Sequence, residues 1–426
     1  MLLVTLLVAS TSFASSRARF GGTLKVALTS KVNLAADPLL ADTPLEVAVL
    51  SQLARPLCRV NRAGEVADTL AELGTSGPRA IVVSLRPGEL DSAAIAKVLK
   101  RAQTEATPYR GLLLPLKPIA DPTDKNQLEL AMQFPFPDLA RALCHPALAV
   151  GPGPFLPTLA ANPSFPEGRP YADELAFVNA DVRSAERQLS QHRVQVVLGS
   201  GAADVPLPFA TYLAFNSARA GKELRAAIAA TVDPQDLTRF FVHPPAAPMA
   251  GLLPPQLSGA PTETPRPALA PIAARKVTLL YDSSQDDQRA VAERLQVKLQ
   301  PAGYQVALLG LPRAELRARW ASGDYDLMLA SVFLPASPAS ALAVVLELAH
   351  APRDQTLERL QKLGAISDDK SRDRAAQELA ASLKAELELW PLYAQGLKIQ
   401  TGPAVQHLTT DFSGTPLLDA AFLGQD

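Results

Sequence analysis

Aromatic side chains and runs of like charge are both scarce in this chain of 426 residues. Phe, Trp and Tyr together make up 5% of the sequence, which argues against a cleft that stacks sugars or bases on several rings. The formal net charge is −1, and no long run of Lys or Arg occurs. Nucleic acid is therefore not an expected partner, because binding it requires a clustered positive surface.

Metal-binding and catalytic motifs are also lacking. The histidines are scattered and none belongs to an HxH or HExxH pattern; they are His145, His192, His243, His350 and His407. Residues Gly199, Ser200 and Gly201 lack the G-x-S-x-G frame of a serine hydrolase and favour a turn. We therefore expect no metal, no cofactor, no catalytic residue and no enzymatic activity.

Cysteine occurs only twice, at Cys58 and Cys144. In an exported protein such a pair permits one disulfide, for which only one connectivity exists. The alternative is a pair of buried thiols that remain unpaired.

Long hydrophobic runs are missing as well, since no stretch reaches the ~18 apolar residues that suggest a membrane-spanning helix. Residues 2–8 are apolar apart from Thr5, and Ser12, Phe13 and Ala14 then place small residues around a cleavage point. We interpret residues 1–14 as a secretory signal peptide, with a short membrane anchor or a buried strand as the alternatives. The expected location is the periplasm.

What the sequence does contain is a strong strand and helix pattern, and hydrophobic residues make up 48% of it. Tyr212, Leu213 and Phe215 form a short apolar run, which predicts a buried strand. A helix follows, and Asp233 then supplies the N-cap of a second helix. Farther on, strands predicted at residues 276–281, 303–308 and 325–332 alternate with helices. This alternation is typical of an α/β fold with a mostly parallel sheet.

Two other predictions concern a helix near the start of the chain and a connection in its middle. Residues 43–57 have helical apolar spacing, with Val47, Leu50 and Leu53 on one face. Residues 244–271 contain nine prolines and little periodicity, which favours a long connection on the surface.

The region around Tyr212 resembles a segment of the extracytoplasmic solute-binding proteins of ABC importers, in the oligopeptide/dipeptide/nickel-binding family (family 5). In that family a YLxFN strand precedes an RxAIxxAVD helix. The matching residues here are Tyr212, Leu213, Phe215, Asn216, Arg225, Ala227, Ile228, Val232 and Asp233. The segment from Gly21 to Leu28 is similar to the family's opening strand, and the resemblance extends over nearly all of residues 21–426.

The resemblance implies a two-lobed periplasmic-binding-protein-like α/β fold with a discontinuous first lobe. Lobe I would comprise residues 15–211, with a reduced small subdomain at about 64–146. Lobe II would comprise residues 212–390, and residues 391–426 would return to lobe I. The resemblance further implies that a monomer captures a peptide-like or other small solute between the lobes and delivers it to an ABC permease in the inner membrane. The alternative is a degenerate relative that senses or binds proteins without transport.

Ligand-binding candidates also follow from the resemblance. They are Phe333, Asn216, Tyr212, Trp390 and Tyr393, and for each of them structural packing is the alternative. In peptide-binding members an Asp after the strand equivalent to residues 326–332 holds the ligand's ammonium group. Pro335 stands at that position here, so we do not expect a peptide to be anchored in this way.

Overall fold

The structure is a computed structural model that describes residues 20–87, 90–201, 206–243, 245–258 and 275–424. The expected signal peptide therefore lies outside the described residues. In chain order the strands are β1 (Thr23–Leu28), β2 (Ala54–Arg55), β3 (Cys58–Val60), β4 (Val66–Asp68), β5 (Ala71–Thr75), β6 (Ala80–Leu85), β7 (Gln127–Ala131), β8 (Gly151–Pro152), β9 (Glu174–Asn179), β10 (Val196–Leu198), β11 (Phe209–Phe215), β12 (Ala246–Pro248), β13 (Arg275–Asp282), β14 (Tyr304–Leu311), β15 (Leu327–Phe333), β16 (Leu389–Gln395), β17 (Ile399–Thr401), β18 (Val405–Gln406) and β19 (Phe422–Leu423). The α-helices are α1 (Pro44–Leu50), α2 (Ser92–Thr104), α3 (Leu139–Leu143), α4 (Val182–Ser190), α5 (Ser217–Thr231), α6 (Pro234–Phe240), α7 (Asp286–Leu299), α8 (Arg313–Ser322), α9 (Pro338–Leu348), α10 (Arg353–Gly364) and α11 (Asp369–Leu383). Short 3-10 helices occupy Pro38–Leu40, Pro108–Leu113, Pro146–Leu148 and Gln300–Ala302.

A four-stranded sheet in the order β17-β10-β1-β9 forms the centre of the first lobe. Strand β1 is parallel to β9 and β10, whereas β17 is antiparallel to β10. Leu24 and Val26 of β1 pack into one core, and Ala27 packs on the opposite face beside Ala185 of α4. This separation follows from the two-residue period of a strand.

The second lobe contains a six-stranded sheet in the order β12-β16-β11-β15-β13-β14. The expected parallel arrangement is found for β13 with β14 and β15, while β11 is antiparallel to both of its neighbours. Alternate residues of β11 face different cores. Leu213 and Phe215 pack against the core that includes Leu224 of α5, and Tyr212 belongs to the larger core on the other face.

The larger core continues from the second lobe into the small subdomain. This subdomain contains the antiparallel sheet β5-β6-β7, helix α2 and the 3-10 helix Pro108–Leu113. Ile95 of α2 and Leu112 of the 3-10 helix belong to the same buried cluster as Leu342 of α9. The subdomain therefore packs directly against the second lobe.

The helix predicted from the apolar spacing of residues 43–57 is shorter than expected. Helix α1 ends at Leu50, and residues from Ala54 form the short strands β2 and β3. Pro56 excludes a helix from Arg55 onward, because a proline disfavours helical backbone at the preceding residue and lacks an N–H group.

The prediction of a surface connection at residues 244–271 is wrong for its first part. Strand β12 pairs with β16, and Met249, Leu252 and Leu257 are buried. The hydroxyl of Tyr212 donates a hydrogen bond to the carbonyl oxygen of Leu252 at 2.6 Å. Apolar residues between the prolines thus attach this segment to the sheet, while residues 259–274 lie outside the described residues.

The chain passes between the two large sheets twice. The first passage lies between β10 and β11, and the second between β16 and β17. Sheet membership thus changes before Phe209 and after Gln395, a few residues outside the expected boundaries at 211 and 391.

A disulfide joins Cys58 of β3 to Cys144 at the end of α3.

Candidate functional site

A cavity of about 70 Å³ lies between the lobes. The segment before α1 and the start of the 3-10 helix Pro108–Leu113 form one side, and residues of β13, α8 and β15 form the other. The wall is partly apolar and partly charged. Six of the residues that define its chemistry are Asp42, Tyr109, Asp282, Arg313, Trp320 and Ser331.

Arg313, in the first turn of α8, connects the lobes through carboxylates. Its Nη1 donates to both carboxylate oxygens of Glu46 in α1 at 2.8 Å, and its Nε donates to Asp282 at the end of β13 at 3.1 Å. Glu46 is held in place because Thr43 caps α1, its Oγ1 accepting a hydrogen bond from the Glu46 N–H group. These carboxylates raise the pKa of Arg313 although burial acts in the opposite direction, so this guanidinium stays charged.

Asp282 is buried but fully supplied with donors. Burial acts to raise the pKa of its carboxyl group, yet hydrogen bonds from Ser284 and Gln285 and the charge of Arg313 outweigh it and lower the pKa. The Ser284 hydroxyl lies 2.7 Å from Oδ1, and the Gln285 amide lies 3.0 Å from Oδ2. Asp282 is therefore an ionised structural anchor for Arg313.

Asp42 differs from Asp282 because it lacks donors. Its Oδ1 is buried and accepts no hydrogen bond within the described part of the chain. Nη1 of Arg313 lies 2.9 Å from this oxygen, but without hydrogen-bond geometry, and Nη2 of Arg317 lies 3.9 Å from Oδ2. Burial is the largest influence on the carboxyl group and raises its pKa to about 7, with Arg313 opposing and Glu46 adding to the rise.

The carboxyl end of β15 is bonded to the subdomain through Phe333. The backbone N–H of Phe333 donates to the Tyr109 hydroxyl at 3.0 Å, and its carbonyl oxygen lies 3.2 Å from Nε2 of His145. Nδ1 of His145 accepts from the N–H of Ala147, so the hydrogen bonds assign the ring proton to Nε2. Burial lowers the pKa of His145 to about 3, so the ring is neutral near pH 7.

The subdomain and the second lobe approach each other closely at Gly111. A Cβ atom added at Gly111 in the 3-10 helix would lie 2.4 Å from the carbonyl oxygen of Ala343 in α9. Two smaller cavities near Phe333 measure about 30 and 10 Å³. Pockets for drug-sized ligands usually measure roughly 300–1,000 Å³, so the 70 Å³ cavity fits only a compact solute.

The five ligand candidates do not share one place. Phe333 lies in the interface between the subdomain and the second lobe, where its ring contacts His145 and Phe209. Tyr212 and Tyr393 are buried inside the second lobe. Asn216 caps α5 and donates to the carbonyl oxygen of Gly323, and Trp390 is half-buried beneath the Lys384 ammonium group. None of the five lines the 70 Å³ cavity, and their role in ligand binding stays a prediction.

Several residues of this site were not found from the sequence. Asp42 stands beside a capping Thr-Pro pair, Arg313 begins an ordinary amphipathic helix, and Tyr109 follows a proline in a loop-like segment. The single available signal was the two consecutive residues Asp42 and Thr43 before a proline, which predicts a helix start but no cavity.

The two large sheets, the discontinuous first lobe and the cavity between the lobes define a two-lobed periplasmic-binding-protein fold. The structure is similar to that of DppA, an ABC transporter-associated periplasmic binding protein from Helicobacter pylori in complex with the peptide STSA. The TM-score is 0.76 at 15% identity, over 96% of this chain and 99% of that chain. For the Escherichia coli murein tripeptide binding protein MppA the TM-score is 0.74 at 14% identity, over 96% and 100% of the two chains.

A third similar structure is AgaA from A. tumefaciens R10 in complex with agropinic acid. Its TM-score is 0.71 at 17% identity, over 95% of this chain and 99% of that chain. No protein-family model and no curated protein matches the chain. At these identities the likeness confirms the expected fold, and the ligands named are those of the other proteins.

The described ranges hold no group of His, Cys, Asp and Glu side chains arranged to bind a metal ion. Within the same ranges, no helix is both long enough and apolar enough to cross a bilayer.

Proposed function

We propose that this protein captures a small solute between its lobes in the periplasm and presents it to an ABC permease of the inner membrane. The observation that carries the proposal is the cavity of about 70 Å³, with a partly apolar and partly charged wall, at the interface of a two-lobed binding-protein fold. Ligand sites favour concave positions between domains, where a few polar groups interrupt an apolar wall. The protein acts as a monomeric binding protein, without catalysis and without nucleic acid.

The size of the cavity favours a compact solute over an oligopeptide. A water molecule needs about 10–15 Å³ of such space, so 70 Å³ corresponds to about five to seven water-sized positions. Pro335 also stands where peptide-binding relatives are expected to carry an ammonium-binding Asp. A longer peptide would require the interface around Phe333 to open.

Native mass spectrometry of the protein isolated from periplasm tests the proposal, together with thermal shift in fractionated metabolite and peptide pools. We expect one compact solute to co-purify and the same fraction to raise the melting temperature. In the variant Ala330→Met, which fills the cavity from β15, the solute should be lost. Ala318→Met on the exposed face of α8 is the matched control and should retain it. Absence of both a co-purifying solute and a thermal shift would contradict solute capture.

The closed packing of the interface favours one second candidate, a sensing or protein-interaction role without transport. In that case the lobes would never separate, and the contact between Gly111 and Ala343 would be permanent. Small-angle X-ray scattering before and after addition of an active pool distinguishes the two. Lobe movement supports solute capture, whereas an invariant profile with no thermal shift supports the second role.

A further inference from the structure

The carboxylate of Asp42 is a polar group of the cavity with unused hydrogen-bonding capacity. Its buried Oδ1 accepts no hydrogen bond from the described residues, whereas Asp282 receives donors on both oxygens and Glu46 receives Nη1 of Arg313 on both. A buried carboxylate oxygen without a hydrogen-bond donor costs free energy, because the ion-pair contact with Arg313 replaces only part of what water supplied. A ligand that donates hydrogen bonds at this position would remove that cost.

The charge around the cavity is unbalanced toward the negative side. Three carboxylates, those of Asp42, Glu46 and Asp282, face two guanidinium groups, those of Arg313 and Arg317. When all are ionised the local sum is one negative charge. An anionic ligand would increase this imbalance, and a cationic ligand would neutralise it.

The two arginines are also already engaged by the protein. Arg313 donates to Glu46 and Asp282, and Nη2 of Arg317 donates to the carbonyl oxygen of Leu40 at 2.7 Å. An anion that used these donors would displace bonds that hold the lobes together.

We propose that the cavity binds a small organic cation, a compact solute with an ammonium or guanidinium group that donates hydrogen bonds to Asp42. This inference rests on the proposed function and names the class of solute. The apolar wall receives the body of the solute: Leu39 lies on the first-lobe side, and Leu316 and Trp320 lie on α8. The size of the cavity limits the bound part to about five to seven non-hydrogen atoms, if each takes the space of one water.

Protonation of Asp42 should control this binding. The charged groups that face it are Arg313 and Arg317 from α8, Glu46 from α1 and Asp282 from β13, and the Tyr109 hydroxyl is also close enough to be affected by its charge. Burial raises the pKa of Asp42 to about 7, so its carboxylate form decreases as the pH falls through that value. Between about pH 8 and pH 6 the ionised fraction falls about tenfold, and affinity for a cation should fall in proportion.

Trp320 provides a direct optical signal, because the sequence contains only two tryptophans and Trp320 lines the cavity. In a Trp390→Phe background its fluorescence is followed during titration with methylguanidinium and with methylammonium. N-methylurea is the neutral counterpart of similar shape, and acetate is the anion. We expect saturable changes with a cation near pH 8, about tenfold weaker binding near pH 6, and no saturation with N-methylurea or acetate.

The variant Asp42→Asn keeps the size of the side chain but removes its charge. It should weaken cation binding by about tenfold or more, because a charge-assisted hydrogen bond is lost. The control Asp121→Asn alters a carboxylate that is 92% exposed and outside the cavity, and it should bind like the parent. If the Asp42→Asn variant does not fold, the pH series on the unaltered chain decides the question.

The proposal is overturned if N-methylurea binds as well as methylguanidinium, if neither cation binds, or if binding is unchanged by both Asp42→Asn and pH. These results remain distinguishable from failure of solute capture. A periplasmic pool that still shifts the melting temperature while both cations fail would retain capture and reject the cationic class. Failure of every pool as well would reject capture itself.

Discussion

Arg372 and Asp138 form a buried ion pair that connects the second lobe to the subdomain. Nε of Arg372 in α11 donates to Oδ2 of Asp138 at 2.6 Å, and the two side chains are 1% and 0% exposed. Arg372 also donates to the carbonyl oxygen of Ile366 at 2.9 Å. Asp138 directly precedes α3, and Cys144 directly follows it and is joined to Cys58 of β3, so the ion pair and the disulfide lie at the two ends of one short helix.

Removing one member of this pair should destabilise the protein strongly. Arg372→Met leaves the buried Asp138 carboxylate with the partly exposed guanidinium of Arg141, whose Nη1 donates to Oδ1 at 3.0 Å. Removing one partner of a buried pair typically costs about 3–5 kcal/mol, and we expect the lower end because Arg141 remains. Urea unfolding gives the free energy. Arg359→Met is the matched control, since it breaks a surface pair with Glu386, which is 61% exposed, and should cost about 1 kcal/mol or less. Equal losses in the two variants would contradict the assignment.

Gly111→Ala should separate the subdomain from α9. The added methyl group would lie 2.4 Å from the carbonyl oxygen of Ala343, a backbone atom that cannot rotate away. We expect a lower melting temperature and a larger radius of gyration by small-angle X-ray scattering. Gly251→Ala is the control, because no atom lies within 4 Å of its added Cβ. An unchanged scattering profile for the Gly111→Ala variant would show that the interface adapts locally.

His145 should make the protein sensitive to acid. Its folded-state pKa is lowered to about 3 by burial, while the unfolded chain retains its value of 6.5. Between these values the unfolded state binds a proton that the folded state does not, so stability falls as the pH falls. From about pH 7 to pH 5 this contributes about 2 kcal/mol.

The variant His145→Asn isolates that contribution, because the amide does not titrate. Urea unfolding of both proteins near pH 7 and near pH 5 should show a smaller acid loss in the variant, by about 2 kcal/mol. Parallel pH dependences in the two proteins would mean that the ring is protonated without unfolding.

Asp42 should affect the pH dependence of stability in the opposite direction. The pKa of its carboxyl group is raised from 3.8 to about 7 in the folded protein, so the ionised carboxylate destabilises the fold above pH 7. Stability therefore rises as the pH falls from about 7 toward 3.8, where the folded state binds a proton that the unfolded state does not. Asp42→Asn should therefore raise stability near pH 8, on the order of 4 kcal/mol, and have little effect near pH 4. Thermal unfolding at both pH values checks this. Destabilisation near pH 8 would mean that the Arg313 contact outweighs burial.

The parts of the fold that were predictable depend on local spacing. Strand β11 and helix α5 follow from alternating apolar residues and from Asn216, whose side chain accepts a hydrogen bond from the N–H of Ala218. Strands β13 to β15 follow from the same reasoning. Helix α1 was overextended because apolar spacing outweighed the signal from Pro56.

The candidate site was much harder to predict, because its contacts join distant parts of the chain. Arg313 and Glu46 are 267 positions apart, and Phe333 and Tyr109 are 224 apart. No local pattern encodes such a pairing. The family resemblance named Phe333 as a ligand candidate, and that role stays a prediction. The partly charged cavity lies farther back along β15 and involves Asp42, which the resemblance did not indicate.

The apolar core shared by the subdomain and the second lobe has a thermodynamic consequence. Opening this interface would bring Leu112, Leu342 and Phe333 into contact with water. Exposure of apolar surface increases the heat capacity, so an opening motion would resemble partial unfolding more than the rotation of two separate bodies. The enthalpy of any solute binding that closes the lobes should therefore become markedly more negative as the temperature rises.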